Sequence, residues 1–131
     1  MRLSTTVFVL MSLMFVFALA PIHGQYKEMS KIDALSRSMP EPEMFSGMAA
    51  HFGVSADALK QEKSANGLTF GQLYLAHAIA KASKADTSAI LSESKGKLWS
   101  VIAKEKNVDM KQLSDDAEVL EKSIKKLQKS K

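Results

Sequence analysis

"FSGMAAHFGVSADAL" (Phe45 to Leu59) and "WSVIAKEKNVDMKQL" (Trp99 to Leu113) are two versions of one phrase. A single gap-free shift sets Phe45 on Trp99, Ser46 on Ser100, Met48 on Ile102 and Ala49 on Ala103. It also sets Gly53 on Asn107, Val54 on Val108, Ser55 on Asp109 and Leu59 on Leu113. Each match has a physical job. The aromatic and Met/Ile positions suit a helix face turned inward, and alanine admits a neighbouring helix closely. Gly or Asn turns the chain at positive φ. Val plugs the corner, Ser or Asp caps the next helix, and Leu packs back. The phrase therefore predicts a helix, a tight corner and a second helix, written twice.

A weaker third version lies between them. "GLTFGQL" (Gly67 to Leu73) matches "GKLWSVI" (Gly96 to Ile102) at the glycine, the aromatic, the small residue after it and the last apolar residue. The fold predicted is all-α, a small bundle of two helix-corner-helix units sharing one core, bridged by a helix from Phe70 to about Lys84. Its core residues are Phe45, Met48, Val54, Leu59, Phe70, Leu73, Trp99, Ile102, Val108 and Leu113. Met29, Met39, Met44, Met48 and Met110 suit core filling, with an adaptable apolar binding surface as the alternative.

The rest of the chain agrees. Helix formers abound and β-branched runs are absent. Tyr26, Met29, Ile32, Leu35 and Met39 recur at helical spacing. Pro42 suits a first helical turn. Gly53 ends that helix and Ser55 caps the next, which stops at Asn66-Gly67. Thr69 and Gln72 form a capping box. Asp86, Thr87 and Ser88 are cap candidates for a short helix to Ser94, and Gly96 turns the chain into Lys97 to Lys106. Asp109 heads a short stretch, and Ser114 then caps a last helix from Asp115 to about Lys129. Asp115 and Asp116 at its start, and lysines at its end, complement the helix dipole. Glu118 with Lys122 and Glu121 with Lys125 are favourable i,i+4 pairs. Ala117, Leu120, Ile124 and Leu127 form its apolar stripe.

The N-terminus sets the expected compartment. Arg2 precedes an almost wholly apolar run, "VFVLMSLMFVFALA" (Val7 to Ala20), too short to span a bilayer comfortably. It reads as a secretory signal peptide. Pro21 blocks a cut after Ala20, so Gly24 is the preferred last residue of the leader; an uncleaved anchor is the alternative. The predicted organisation is a signal peptide at 1–24, an N-terminal helix and Pro-containing linker at 25–42, and a helical repeat domain at 43–131. The protein is expected to be secreted or periplasmic, with no membrane span after cleavage. There is no cysteine, hence no disulfide, thiolate metal site or N-terminal lipidated Cys. The fold must be held by packing.

Little catalytic chemistry is written here. His51 and His77 lack metal-site spacing, and no GxSxG or phosphate loop occurs. His51 reads as exposed, and His77, one turn after Tyr74, as a partly buried structural histidine. Glu41 and Glu43 flank Pro42 on what should be a solvated turn. No cofactor, metal or enzymatic activity is predicted. The net charge of +4 names no partner by itself. Lys122, Lys125, Lys126, Lys129 and Lys131 make the C-terminus basic. A solvated helix end explains them, and peripheral contact with anionic lipid headgroups or envelope polymers is the functional alternative.

Three resemblances attach to these phrases. "AHFGVSADAL" (Ala50 to Leu59) and the residue before it resemble the centre of a DNA-binding helix-turn-helix. Its second helix would present Asp57, Lys60, Gln61 and Glu62, with acids where phosphate would repel them. "GKLWSVIAKEKNVDMKQL" (Gly96 to Leu113) resembles the helical part of LysM glycan-binding modules, with Val101 as an extra residue and no flanking strands evident. Most of Met44 to Leu113 resembles a loose group of small secreted bacterial proteins, through "GLTFGQLYLAHAIAKAS" and "GKLWSVIAKE". That likeness implies an exported all-helical fold and brings no known activity or functional residues. The expected role is non-enzymatic binding or structure, with another protein or a cell-envelope polymer as partner. LysM-like glycan binding is the alternative, or DNA binding if the chain is not exported; nucleic acid is otherwise not an expected partner.

Overall fold

The computed structural model describes residues 27–130. The predicted signal peptide, Tyr26 and Lys131 lie outside them. The elements are α1 (Lys27–Ser38), α2 (Glu41–Phe52), α3 (Ala56–Asn66), α4 (Phe70–Ser83), α5 (Thr87–Ser94), α6 (Trp99–Glu105) and α7 (Met110–Lys129). There is no strand among the described residues, so the fold is all-α.

α4 is the central element. Gln72 is half-buried, and every other residue from Phe70 to Ala80 is buried, as befits a helix apolar all round. It packs on α1, α2, α3, α5 and α7. The capping box closes its start: the Thr69 hydroxyl accepts from Gln72 N–H at 3.2 Å, and Gln72 Oε1 accepts from Thr69 N–H at 3.0 Å. α1 adds a tertiary cap to the same end. Asp33 Oδ1 accepts from Gly71 N–H at 2.7 Å, and Oδ2 accepts from the Thr69 hydroxyl at 3.2 Å. Gly71 permits this approach, since a Cβ there would overlap the Met29 carbonyl oxygen and side chain. α1 also inserts Ile32 and Leu35 into the common core.

Nine of the ten predicted core residues are buried. The exception is Val54, which is half-buried and packed against the core. Phe70 and Trp99 open α4 and α6, whereas Phe45 is the fifth residue of α2; all three are buried, and the Phe45 and Phe70 rings lie 4.9 Å apart. Their neighbours differ, however. Ser46 is exposed and Ser100 half-buried, whereas Gly71 is pressed against α1. The small residue of the third echo therefore serves a different purpose. Met44 and Met48 are fully buried, and Met29, Met39 and Met110 pack partly buried around them.

Four corners end in the same way. Gly53, Gly67, Lys84 and Asn107 have φ of 69°, 59°, 58° and 59°. The next amide then donates back: Val54 to Ala49 O, Leu68 to Lys63 O, Ala85 to Ala80 O and Val108 to Ala103 O, at 2.8–3.1 Å. This is the Schellman closure. Two corners belong to the quoted phrases and two do not, so corner geometry alone does not mark the phrases out. Lys84 is the unexpected member, because a left-handed conformation costs a residue with a Cβ about 1 kcal/mol.

Corrections fall along α7, α2 and α6. No break occurs at Ser114: Asp109 caps one helix running from Met110 to Lys129. Leu113, Ala117, Leu120 and Ile124 are a continuous buried stripe with no Gly or Pro to interrupt it. Asp115 and Asp116 therefore sit in the second turn, beyond the N-terminal dipole. Leu127 ends the stripe 38 % exposed. α2 begins at Glu41, with Pro42 in its first turn. Glu43 then shares the inward face with Met44, Gly47 and Met48 and is buried, not solvated. α6 starts at Trp99, two residues after the expected Lys97, with Leu98 still extended.

Candidate functional site

Of the five predicted contact lysines, two are internally paired. Lys122 lies 3.5 Å from Glu118 and Lys125 3.7 Å from Glu121, each one turn apart. Lys126 and Lys129 have no carboxylate partner among the described residues, and Lys131 lies outside them. Lys126 lines a groove of about 440 Å³ between α2 and α7, with Gly47, Ala50, His51, Ser123, Leu127 and Ser130. At Gly47 α2 and α7 cross closely, since a Cβ there would overlap Ile124 Cγ1.

His51 at this groove is not exposed as predicted. Its Nε2 is 2.9 Å from Asp116 Oδ2. A carboxylate can only accept here, so Nε2 carries the proton. The Tyr74 hydroxyl lies 2.8 Å from the same Oδ2 and 2.8 Å from the Leu113 carbonyl oxygen. α2, α4 and α7 thus meet on one carboxylate. Asp116 is free for this because it is not needed at the start of α7.

A second pair mirrors the first across Phe52. His77 is buried, and its Nε2 donates to Glu62 Oε1 at 2.8 Å. Phe52 is half-buried, with ring centroids 4.9 Å from His51, 5.8 Å from Tyr74 and 5.3 Å from His77. The imidazoles are therefore braced by carboxylates and rings. Among the described residues, their side-chain hydrogen bonds go to no hydroxyl nucleophile, and no three metal-ligating side chains converge. The arrangement holds helices together and shapes the grooves around it. Sequence spacing could not reveal either pair, since their partners lie 65 and 15 positions apart.

A smaller groove between α4 and α7 has Lys81 and Asp116 on its walls. Another, of about 380 Å³, opens where α4 ends, beside the α2–α3 corner, and is lined by Phe52, His77, Lys81, Lys84 and Thr87 among others.

The regions that resemble known modules can now be placed. A LysM module needs strands flanking its helices. Here the phrase from Gly96 is preceded by α5 and runs on into α7, so the likeness stops at the phrase. In α3, Lys60 and Lys63 lie over the Phe45 and Phe70 rings, 5.7 and 4.8 Å from their centroids, and Glu62 holds His77. Of the residues that a recognition helix would present, Lys60 is thus turned onto the body and Glu62 is engaged with His77. No protein-family model, no curated protein and no solved structure matches this chain.

Proposed function

We propose that the chain is an exported, non-catalytic helical binding protein that docks on an anionic component of the cell envelope through the end of α7. The observation that carries this reading is the division of α7's lysines. Lys122 and Lys125 are offset by glutamates on their own helix, whereas Lys126 and Lys129 are not. Lys126 borders a groove, and exposed Leu127 beside it supplies apolar area. Cations flanking an exposed apolar side chain suit a headgroup or polymer surface. Attraction of this kind is screened by salt. No helix among the described residues is long and apolar enough to cross a membrane, so the contact proposed is peripheral.

The test is co-sedimentation of the chain from Gln25 onward with phosphatidylglycerol vesicles and with peptidoglycan, at low and high salt. Retention on one of them at low salt is expected, with release at high salt and loss in a Lys126→Glu/Lys129→Glu variant. The paired-lysine variant Lys122→Gln should keep most of it. Equal retention on phosphatidylcholine vesicles, or indifference to Lys126→Glu/Lys129→Glu, would exclude this docking surface.

A further inference from the structure

The groove at the end of α4 carries a different and independent site. We infer that it binds a small ring-bearing anion, with the ring against Phe52 and His77 and the anion between Lys81 and Lys84. The sign of the ligand follows from the walls. Lys81 and Lys84 line this groove and no carboxylate does. In the α4–α7 groove Lys81 is opposed by Asp116, and in the groove beside α1 Arg37 and Lys63 are opposed by Asp33. The α2–α7 groove has Lys126 alone. Of these four grooves, the one at the end of α4 has the largest excess of cations over carboxylates on its walls, with Lys81 shared with the α4–α7 groove. A cavity of about 380 Å³ lies at the small end of the range for organic ligands.

The ring preference follows from the floor. Phe52 and His77 both line the groove, with ring centroids 5.3 Å apart and planes 31° from parallel. Glu62 fixes the imidazole through Nε2 and Phe52 packs on Tyr74, so the surface is set before any ligand arrives. Lys81 is tethered too, its Nζ 3.4 Å from the His51 carbonyl oxygen. Thr87 also lines the groove, and a threonine hydroxyl can donate to an anion.

Lys84 supplies the observation that sets this corner apart. The equivalent left-handed positions at the other three corners are Gly53, Gly67 and Asn107, residue types that tolerate the conformation. Lys84 holds it at φ 58° with a long cationic side chain at the groove. A lysine held in this conformation is a cue to look for a use of its side chain. A glycine there would relax the fold, and the inference is that it would also weaken the site.

The experiment is an amide-resolved NMR titration of the chain from Gln25 onward with benzoate, phenyl phosphate, cyclohexanecarboxylate and benzylamine. Benzoate or phenyl phosphate should shift the amides of Phe52, Lys81, Lys84 and Thr87 saturably, and the stronger of the two identifies the anion. Cyclohexanecarboxylate should bind more weakly, and benzylamine should leave the groove untouched. Lys84→Gly is the decisive variant: a raised melting temperature together with about tenfold weaker binding is expected. Lys81→Met should weaken binding similarly with the fold intact by circular dichroism. Benzylamine binding as well as benzoate, shifts centred on Lys126 instead, or a stabilised Lys84→Gly that binds unchanged would each overturn the inference.

Discussion

The segments Phe45–Leu59 and Trp99–Leu113 share their corner and their buried leaders but differ at the end of the first helix. In the first, the residues before the corner are His51 and Phe52, which join Asp116, Tyr74 and His77 in a braced polar and aromatic cluster. In the second, the same positions are Glu105 and Lys106, which form a surface ion-pair chain. Lys97 lies 2.8 Å from Glu105 and 3.4 Å from Glu93, and Lys106 lies 3.4 Å from Glu93. The lesson is that packing positions set the architecture, while the residues at the end of the first helix decide whether that helix ends in groove walls or in surface ion pairs. The second segment ends its helix with exposed charge, and the first with groove walls.

The comparison can be broken hardest at the leaders. Phe45→Ala and Trp99→Ala each remove a buried aromatic, and each should cost about 3–5 kcal/mol in urea unfolding. A loss at only one of them would mean that the two segments do not contribute equally to one core. Next comes the helix-end difference. His51→Ala strands Asp116 with one fewer donor and should cost about 1–3 kcal/mol. Glu105→Ala at the matching position should cost less than about 1 kcal/mol, because its pair is largely solvent-exposed. Similar costs for both would erase the distinction drawn here.

The corners offer a finer test. A Cβ at Gly53 meets nothing within 4 Å, so Gly53→Ala isolates the backbone cost, about 1 kcal/mol at φ 69°. Asn107→Gly should gain a few tenths of a kcal/mol or leave thermal stability unchanged. The smallest effect expected is at Glu93. Partial burial works to raise its carboxyl, but the hydrogen bond from Lys97 and the Lys106 ammonium outweigh it and hold it below the ordinary 4.5. The hydrogen bond to Glu105, opposed by partial burial and aided by Glu93, holds Lys97 above the ordinary 10.5. A depressed carboxyl contributes stability above its unfolded value and loses it as the pH falls through the folded one. Lys97 contributes below its unfolded value and loses it as the pH rises through the folded one. Urea midpoints should therefore show Glu93→Gln slightly flattening the fall in stability below about pH 4.5. Near neutrality the same variant should lower the midpoint slightly and without pH dependence, because the Glu93 contribution is fully present there.

Much of the fold was legible because its signals are local. Gly53, Ser55, Thr69 with Gln72, Asn107 and Asp109 each act within a few residues of themselves, and their spacing exposes them. The Phe, Trp, Met and Ile positions were legible for the same reason. What stayed hidden depends on distant partners. Asp116 looks like a helix-start residue until His51 and Tyr74 reach it, and Ser114 looks like a cap until the stripe beneath it proves continuous. Gly71 reads only as a small residue after an aromatic until α1 presses on it and Asp33 caps α4 there. Glu43 sits beside a proline yet shares the face of Met44 and Gly47. Lys84 gave no sign of its left-handed backbone, because lysine has no preference for it. The basic C-terminus was plain in the sequence, but its division into paired and unpaired lysines required the groove and the i,i+4 distances together.

The most direct measurement is native-state hydrogen exchange at the amides of Met48, Ile79 and Ile102, which report the first segment, the central helix and the second segment. One shared core predicts that all three exchange through the same global opening, with opening free energies that fall together as urea is added. Exchange at Ile102 through a separate opening, insensitive to urea and far faster than at Met48, would show that the two segments do not share an interior.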